Sequence, residues 1–206
     1  MREPIEAFRI RPAPSPWGDY GRALTHGLSR HLPRVDGRVQ LERTAPFIPP
    51  ISFPGPIVVT TDAARRAIET AGLTGAQFRP VDLARIVRLD WRTWDLNASG
   101  PPFYPPGHEP EAFILDPPHD SHEAAIMAPL WECEPQRWGE GTPEAVRQVR
   151  PRRTYVRILA RGSGPMPALF KVDGCGFPLV SPEGREWFET EYGEWVRFEP
   201  AGNRED

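Results

Sequence analysis

The sequence has little of what marks a secreted, membrane-spanning or nucleic-acid-binding protein. It contains only two cysteines, whereas a secreted chain of this kind more often carries several disulfides. No apolar run approaches the roughly 20 residues that a membrane span needs, and residues 1–10 lack the apolar stretch of a signal peptide. The formal net charge of −3 provides no basic field for nucleic acid or an anionic membrane. We therefore expect a cytoplasmic protein with neither nucleic acid nor membrane among its partners.

Proline, in contrast, is abundant, with 27 prolines among 206 residues, well above the usual value of about 5%. Because proline fixes φ and removes a backbone donor, its clustering predicts irregular backbone over residues 1–56 and again over 92–150. Two stretches with regular patterns lie at residues 57–91 and 151–206. We expect these four segments to form one compact domain, since 206 residues suffice for a single large core.

The two regular stretches predict the same order of elements. Residues 57–60 are all β-branched, Thr61 is a suitable helix N-cap, and a helix and a second strand follow. In the last third Ser181 is the corresponding cap, and a shift of 120 residues places Arg65 on Arg185. The sequence therefore predicts an α+β protein. It would contain two related strand–helix–strand units with short β-sheets, separated by a long proline-rich irregular insertion.

Shorter patterns add local expectations inside and after the insertion. Residues 121–130 and 143–149 are compatible with short helices. Strands are expected at 154–159 and 169–172, and the Gly/Pro turn between them predicts that they pair as a hairpin.

The most polar cluster suggests one candidate for metal or nucleophilic chemistry. His119 and His122 are three residues apart and Cys133 follows His122 after ten intervening residues, so imidazole and thiolate ligands could serve zinc. The spacing matches no established zinc motif, no G-x-S-x-G surrounds any serine, and no phosphate-binding glycine loop is present. We expect no metal and no cofactor. A small metal-dependent enzyme, or a cysteine enzyme using Cys175, is the alternative.

Aromatic and acidic residues concentrate in and beside the proline-rich middle. Trp, Tyr and Arg dominate binding hot spots, and loops on a rigid scaffold often carry recognition residues. Glutamates in the same segment would complement a basic partner surface. The predicted partner-binding residues are Trp91, Trp94, Phe103, Tyr104, Glu123, Trp131, Glu132, Glu134, Trp138 and Glu140.

Several of these segments together resemble a known family. The segments are Thr25-His26-Gly27-Leu28, Ile57-Val58-Val59, Leu73-Thr74-Gly75, Leu169-Phe170-Lys171-Val172, Leu179-Val180-Ser181 and Val196-Arg197-Phe198. Their order is similar to that of the double-CXXCG motif immunity proteins of bacterial contact-dependent competition. The C-terminal segment, residues 169–200, is the most specific part of the resemblance.

The resemblance implies a non-catalytic protein that neutralises a cognate toxin by stoichiometric binding. Both motifs that give the family its name are degenerate here: residues 32–37 contain no cysteine, and residues 131–134 keep only Cys133. A metal site therefore does not carry over. An adaptor or chaperone for a secreted effector is a further alternative, since it too would act by binding alone.

Overall fold

A computed structural model describes the chain in several ranges. These are residues 3–14, 28–29, 33–43, 48–86, 95, 97–98, 118–147, 154–162 and 164–201. Within them strands outnumber helices, which makes this a sheet-rich α+β fold. No helix in these ranges is long and apolar enough to cross a membrane.

Thirteen strands and three helices are defined in the described ranges. The strands are β1 (Glu3–Pro4), β2 (Phe8–Pro12), β3 (Leu28–Ser29), β4 (Gln40–Arg43), β5 (Ile51–Ser52), β6 (Val58–Thr61), β7 (Ala76–Pro80), β8 (Asp82–Ile86), β9 (Leu130–Arg147), β10 (Thr154–Gly162), β11 (Leu169–Asp173), β12 (Leu179–Val180) and β13 (Val196–Pro200). The helices are α1 (Asp62–Thr70), α2 (Ser121–Ile126) and α3 (Pro182–Tyr192).

Ten of these strands form one large sheet. Its main path runs β1-β10-β9-β11-β12-β2-β13, and β5, β6 and β7 join it through β9. The first part of β9 lies between β6 and β7, and β2 lies between β12 and β13; all four pairings are antiparallel. A separate three-stranded sheet has the order β3-β4-β8.

Both predicted units contain a strand, a capped helix and a second strand. The Thr61 hydroxyl accepts from the Ala64 N–H at 3.3 Å at the start of α1. The Ser181 hydroxyl accepts from the Gly184 N–H at 3.1 Å at the start of α3. Each cap satisfies one of the free donors of the first helical turn, so local sequence is enough to fix where both helices begin.

The prediction of irregular backbone over residues 1–56 is wrong for β2, which lies inside the large sheet between β12 and β13. The prediction of an irregular insertion over residues 92–150 is wrong for its last part, because β9 runs unbroken from Leu130 to Arg147. The proline at position 135 fits because successive N–H groups of a strand point to opposite sides. Gln136 donates to Gly75 O towards β7 at 2.7 Å, so the Pro135 nitrogen points to the other side. There the pairing of β9 with β6 stops at Cys133, and its pairing with β11 starts at Gln136.

Two local predictions are corrected by the same strand. The predicted helix at 143–149 is absent, because residues as far as Arg147 pair with β10; the hydrogen bonds of the sheet outweigh the local helix signal. The predicted hairpin of 154–159 with 169–172 is also wrong, since β10 and β11 each pair with β9. The predicted helix at 121–130 is shorter, ending at Ile126.

The described core lies on both faces of the large sheet. Neighbours in β11 point to opposite faces: Leu169 packs in a cluster beneath the helices with Ile68 of α1 and Phe188 of α3, whereas Phe170 packs in a second cluster with Trp138. A third cluster, which includes Leu41 and Leu130, joins the small sheet to the large one. The start of β9 is therefore held from both sides.

Candidate functional site

Trp131 lies at the edge of the helix-bearing face, at the start of β9. Its indole Nε1–H donates to Asp62 Oδ1 at 3.1 Å, and the Arg65 guanidinium lies 4.5 Å from its ring centroid. Arg65 is itself fixed by ion pairs with Asp62 at 3.0 Å and Glu69 at 2.6 Å. The hydrogen bond from Arg65 lowers the pKa of the Asp62 carboxyl. We call Asp62, Arg65, Glu69 and Trp131 the indole cluster. It consists of a half-buried aromatic ring and charged neighbours that ion pairs hold in place.

The next residue, Glu132, points to the opposite face and is paired with an arginine. Only 5% of Glu132 is exposed. Arg34 Nη1 donates to one carboxylate oxygen at 2.9 Å, and Arg34 Nη2 donates to the other at 2.6 Å. This bidentate hydrogen bonding raises the pKa of Arg34. A buried carboxylate needs such a partner, because desolvation of an unpaired charge is costly.

Glu134 continues the same charged face. The Lys171 ammonium donates to Glu134 Oε1 at 3.0 Å, and Arg79 Nη2 lies 3.0 Å from Glu134 Oε2. The hydrogen bond from Lys171 lowers the pKa of the Glu134 carboxyl. A cleft of about 240 Å³ opens here. We call it the charged cleft; its lining includes Arg34, Glu132, Glu134, Lys171, Cys175 and Phe177.

Other predicted partner-binding residues lie apart from these two features. Trp138 belongs to the core, with 9% of its surface exposed and its ring packed on Phe170, so we leave it out of the proposed contact surface. Glu140 is exposed further along β9, and Glu123 lies within α2. The predicted residues outside the described ranges are Trp91, Trp94, Phe103 and Tyr104.

The three candidate metal ligands do not come together. His119 Nδ1 accepts a hydrogen bond from the Ile86 N–H at 3.0 Å, tying its loop to the end of β8. Cys133 is 1% exposed inside the core. Among the described side chains, no group of three or more His, Cys, Asp or Glu residues could hold a metal.

Burial also sets the chemistry of the two free thiols. It raises the pKa of Cys133 to about 12, and it raises the pKa of the half-buried Cys175 as well. Because the thiolate is the nucleophile, neither cysteine is activated at neutral pH.

Thiol labelling tests this assignment. We expect Cys175 to react first with iodoacetamide at pH 8 in the native protein, and Cys133 to react only after unfolding, because it is 1% exposed and stays protonated. Mass spectrometry of a labelling time course, with and without denaturant, gives both rates. Equal rates in the native protein would contradict the buried placement of Cys133.

The positive partners of this site were not predicted from the sequence. The predicted acidic surface is neutralised locally, since Arg34 pairs with Glu132 while Arg79 and Lys171 pair with Glu134. One signal was present in the sequence: apolar and charged residues alternate over positions 131–134, which is typical of a strand with two different faces.

Comparisons with protein-family profiles, curated proteins and solved structures give no match to this chain. The similarity to immunity proteins therefore depends on the sequence segments alone.

Proposed function

We propose that this chain is an immunity-type protein that binds a cognate bacterial toxin stoichiometrically in the cytoplasm, without catalysis, and that the indole cluster forms part of the contact surface. The assignment of the contact surface depends on Trp131, which Asp62 and Arg65 hold at a half-buried position. Tryptophan and arginine are the side chains most enriched at binding hot spots.

The fixed geometry of the indole cluster favours binding. Arg65 is clamped by Asp62 and Glu69 before any partner arrives. Side chains that are already ordered lose less conformational entropy on association, and affinity rises accordingly. The segment-by-segment resemblance to immunity proteins supplies the class of partner.

Two of the predicted glutamates already have positive partners within the chain. Glutamates 132 and 134 were expected to complement a basic toxin cleft, but Arg34, Arg79 and Lys171 already compensate them. We therefore assign the contact energy to the indole ring rather than to an acidic patch.

Replacing Trp131 with Ala tests the contact surface. We expect the affinity for the toxin encoded by the neighbouring gene to fall about 30-fold, because a hot-spot tryptophan contributes on the order of 2 kcal/mol. Isothermal titration calorimetry measures the affinity, and growth of cells that co-express both proteins measures protection.

The matched control is Phe8→Ala. The Arg185 guanidinium lies 4.5 Å from the Phe8 ring centroid, as Arg65 does above Trp131, so both variants lose the same kind of stacking. We expect Phe8→Ala to keep the affinity of the wild type. Unchanged binding by Trp131→Ala would move the interface elsewhere, and wild-type protein that gives no protection would remove the immunity proposal.

A further inference from the structure

Each strand–helix–strand unit of this protein has a strand from the other half of the chain at its centre. We call β5, β6, α1 and β7 the first unit, and β11, β12, α3 and β13 the second unit. The sheet order is β5-β6-β9-β7 in the first and β11-β12-β2-β13 in the second. Strand β9 comes from the second half of the chain and β2 from the first.

The register of the central strands is the same in both units. In each unit one residue of the central strand lies opposite one residue on each of the two neighbouring strands, and we call these three residues a row. The corresponding rows are Val59, Glu132 and Arg79 in the first unit and Leu179, Arg9 and Glu199 in the second. The outer residues of these rows differ by 120 positions and the central residues by 123, and the same offsets hold in the neighbouring rows.

Hydrogen bonds beyond the paired rows repeat with these offsets. At one end Gln136 N–H donates to Gly75 O at 2.7 Å, and Ala13 N–H donates to Trp195 O at 2.9 Å. The bonds at the other end are Val81 N–H to Leu130 O, 3.2 Å, and Ala201 N–H to Ala7 O, 2.8 Å. If a common motif had recurred by chance, there would be no reason for the hydrogen bonds outside the paired strands to match as well.

Side-chain contacts repeat as well. Arg65 lies 4.5 Å above the ring of Trp131, and Arg185 lies 4.5 Å above the ring of Phe8. The arginines differ by 120 positions and the rings by 123. In both units, therefore, an arginine of the helix packs on an aromatic ring of the central strand.

We propose that the chain is a tandem duplication whose two copies have exchanged their central strands, so that each half of the chain is the binding partner of the other. The first copy has the chain order β2-β5-β6-α1-β7, and the second has β9-β11-β12-α3-β13. Each copy donates its first strand to the slot between the third and fourth strands of its partner.

A reversed ion pair favours the exchanged arrangement. In the first unit Arg79 pairs with Glu134 of the central strand at 3.0 Å. In the second unit the charges are reversed, and Glu199 pairs with Arg11 of the central strand. Without exchange Arg11 would lie beside Arg79, and Glu134 beside Glu199. Like charges facing each other across strands are destabilising, so each slot selects the strand of the other copy.

Cysteine pairs in the full-length chain distinguish the two arrangements. Arg11 lies directly opposite Arg197, at a spacing suited to a disulfide; without exchange its partner would be Gln77. We expect oxidation to link the pair R11C/R197C and to leave R11C/Q77C unlinked.

The linkage is read out by cleaving the chain between its two halves. A protease site is inserted at Asn97–Ala98, which is exposed, and is cleaved after folding. A non-reducing denaturing gel then shows whether the two halves are joined.

The result that would overturn the exchange is a disulfide in R11C/Q77C together with separable halves in R11C/R197C. A second measurement needs no substitution in either unit. The chain cleaved at the inserted site is passed over a sizing column in native buffer. We expect both halves to elute together at the mass of the intact chain and to separate only in denaturant. Two separately folded halves in native buffer would also overturn the proposal.

Discussion

Replacing Trp138 with Ala is expected to lower the free energy of unfolding by about 3–5 kcal/mol, the usual cost of removing a large buried aromatic ring. The ring is 9% exposed and packs edge-on against Phe170, with centroids 5.4 Å apart. Its Nε1–H also donates to Gly164 O at 3.2 Å and to Pro165 O at 3.0 Å. Thermal unfolding should show a fall in Tm on the order of 10 °C.

Trp138→Phe is the matched control. It keeps an aromatic ring against Phe170 and removes the indole N–H, so we expect a loss of only about 1 kcal/mol. A Tm for Trp138→Ala equal to that of the control would show that the ring is not part of the core. Because the alanine variant is expected to be unstable, weaker partner binding by it would not identify Trp138 as a contact residue.

The helices α1 and α3 of the two predicted strand–helix–strand units were predictable because their signals are local. Thr61 and Ser181 stand three residues before the N–H groups that they accept from, and a side chain can cap a helix only over such a distance. The predicted strands that follow them were also found, as β7 and β13. In both units, neighbouring residues alone specify the order of elements.

The position of β9 was not predictable in the same way. Its prolines suggested irregular backbone, yet Pro135 is accommodated because its nitrogen faces the gap between the stretch of β9 that pairs with β6 and the stretch that pairs with β11. Such a gap depends on strands that are distant in sequence. Composition alone cannot show where neighbouring strands end, and so it cannot show which prolines a strand tolerates.

The environment of the predicted glutamates has the same explanation. Glu132 is 98 residues from Arg34 in sequence, and only the packing of the small sheet against the large one brings them together. A run of glutamates therefore suggested an acidic surface, whereas the folded chain compensates the charges of Glu132 and Glu134. The assignment of Trp131 to a contact surface stays a prediction; the structure adds that the Arg65 guanidinium lies 4.5 Å from its ring centroid.

Replacing Gly75 with Ala is expected to cost about 3 kcal/mol or more of unfolding free energy. Gly75 has φ +89°, and a Cβ there would lie 2.0 Å from Leu169 O and 2.6 Å from the Cβ of Pro167. The left-handed conformation alone costs a residue with a Cβ about 1–2 kcal/mol, and overpacking adds about 1–3 kcal/mol. Urea denaturation measures the loss as a lower midpoint.

The backbone at Gly75 cannot move away to relieve this contact, because it joins three strands. Its carbonyl accepts from Gln136 of β9 at 2.7 Å, and the Thr74 carbonyl accepts from Leu169 of β11 at 3.1 Å. Gly72→Ala is the matched control: its φ is +67°, and nothing lies within 4 Å of the added Cβ. We therefore expect Gly72→Ala to show the left-handed cost alone, about 1–2 kcal/mol. Equal losses for the two variants would contradict the close approach of β11 to Gly75, on which the junction of the two units depends.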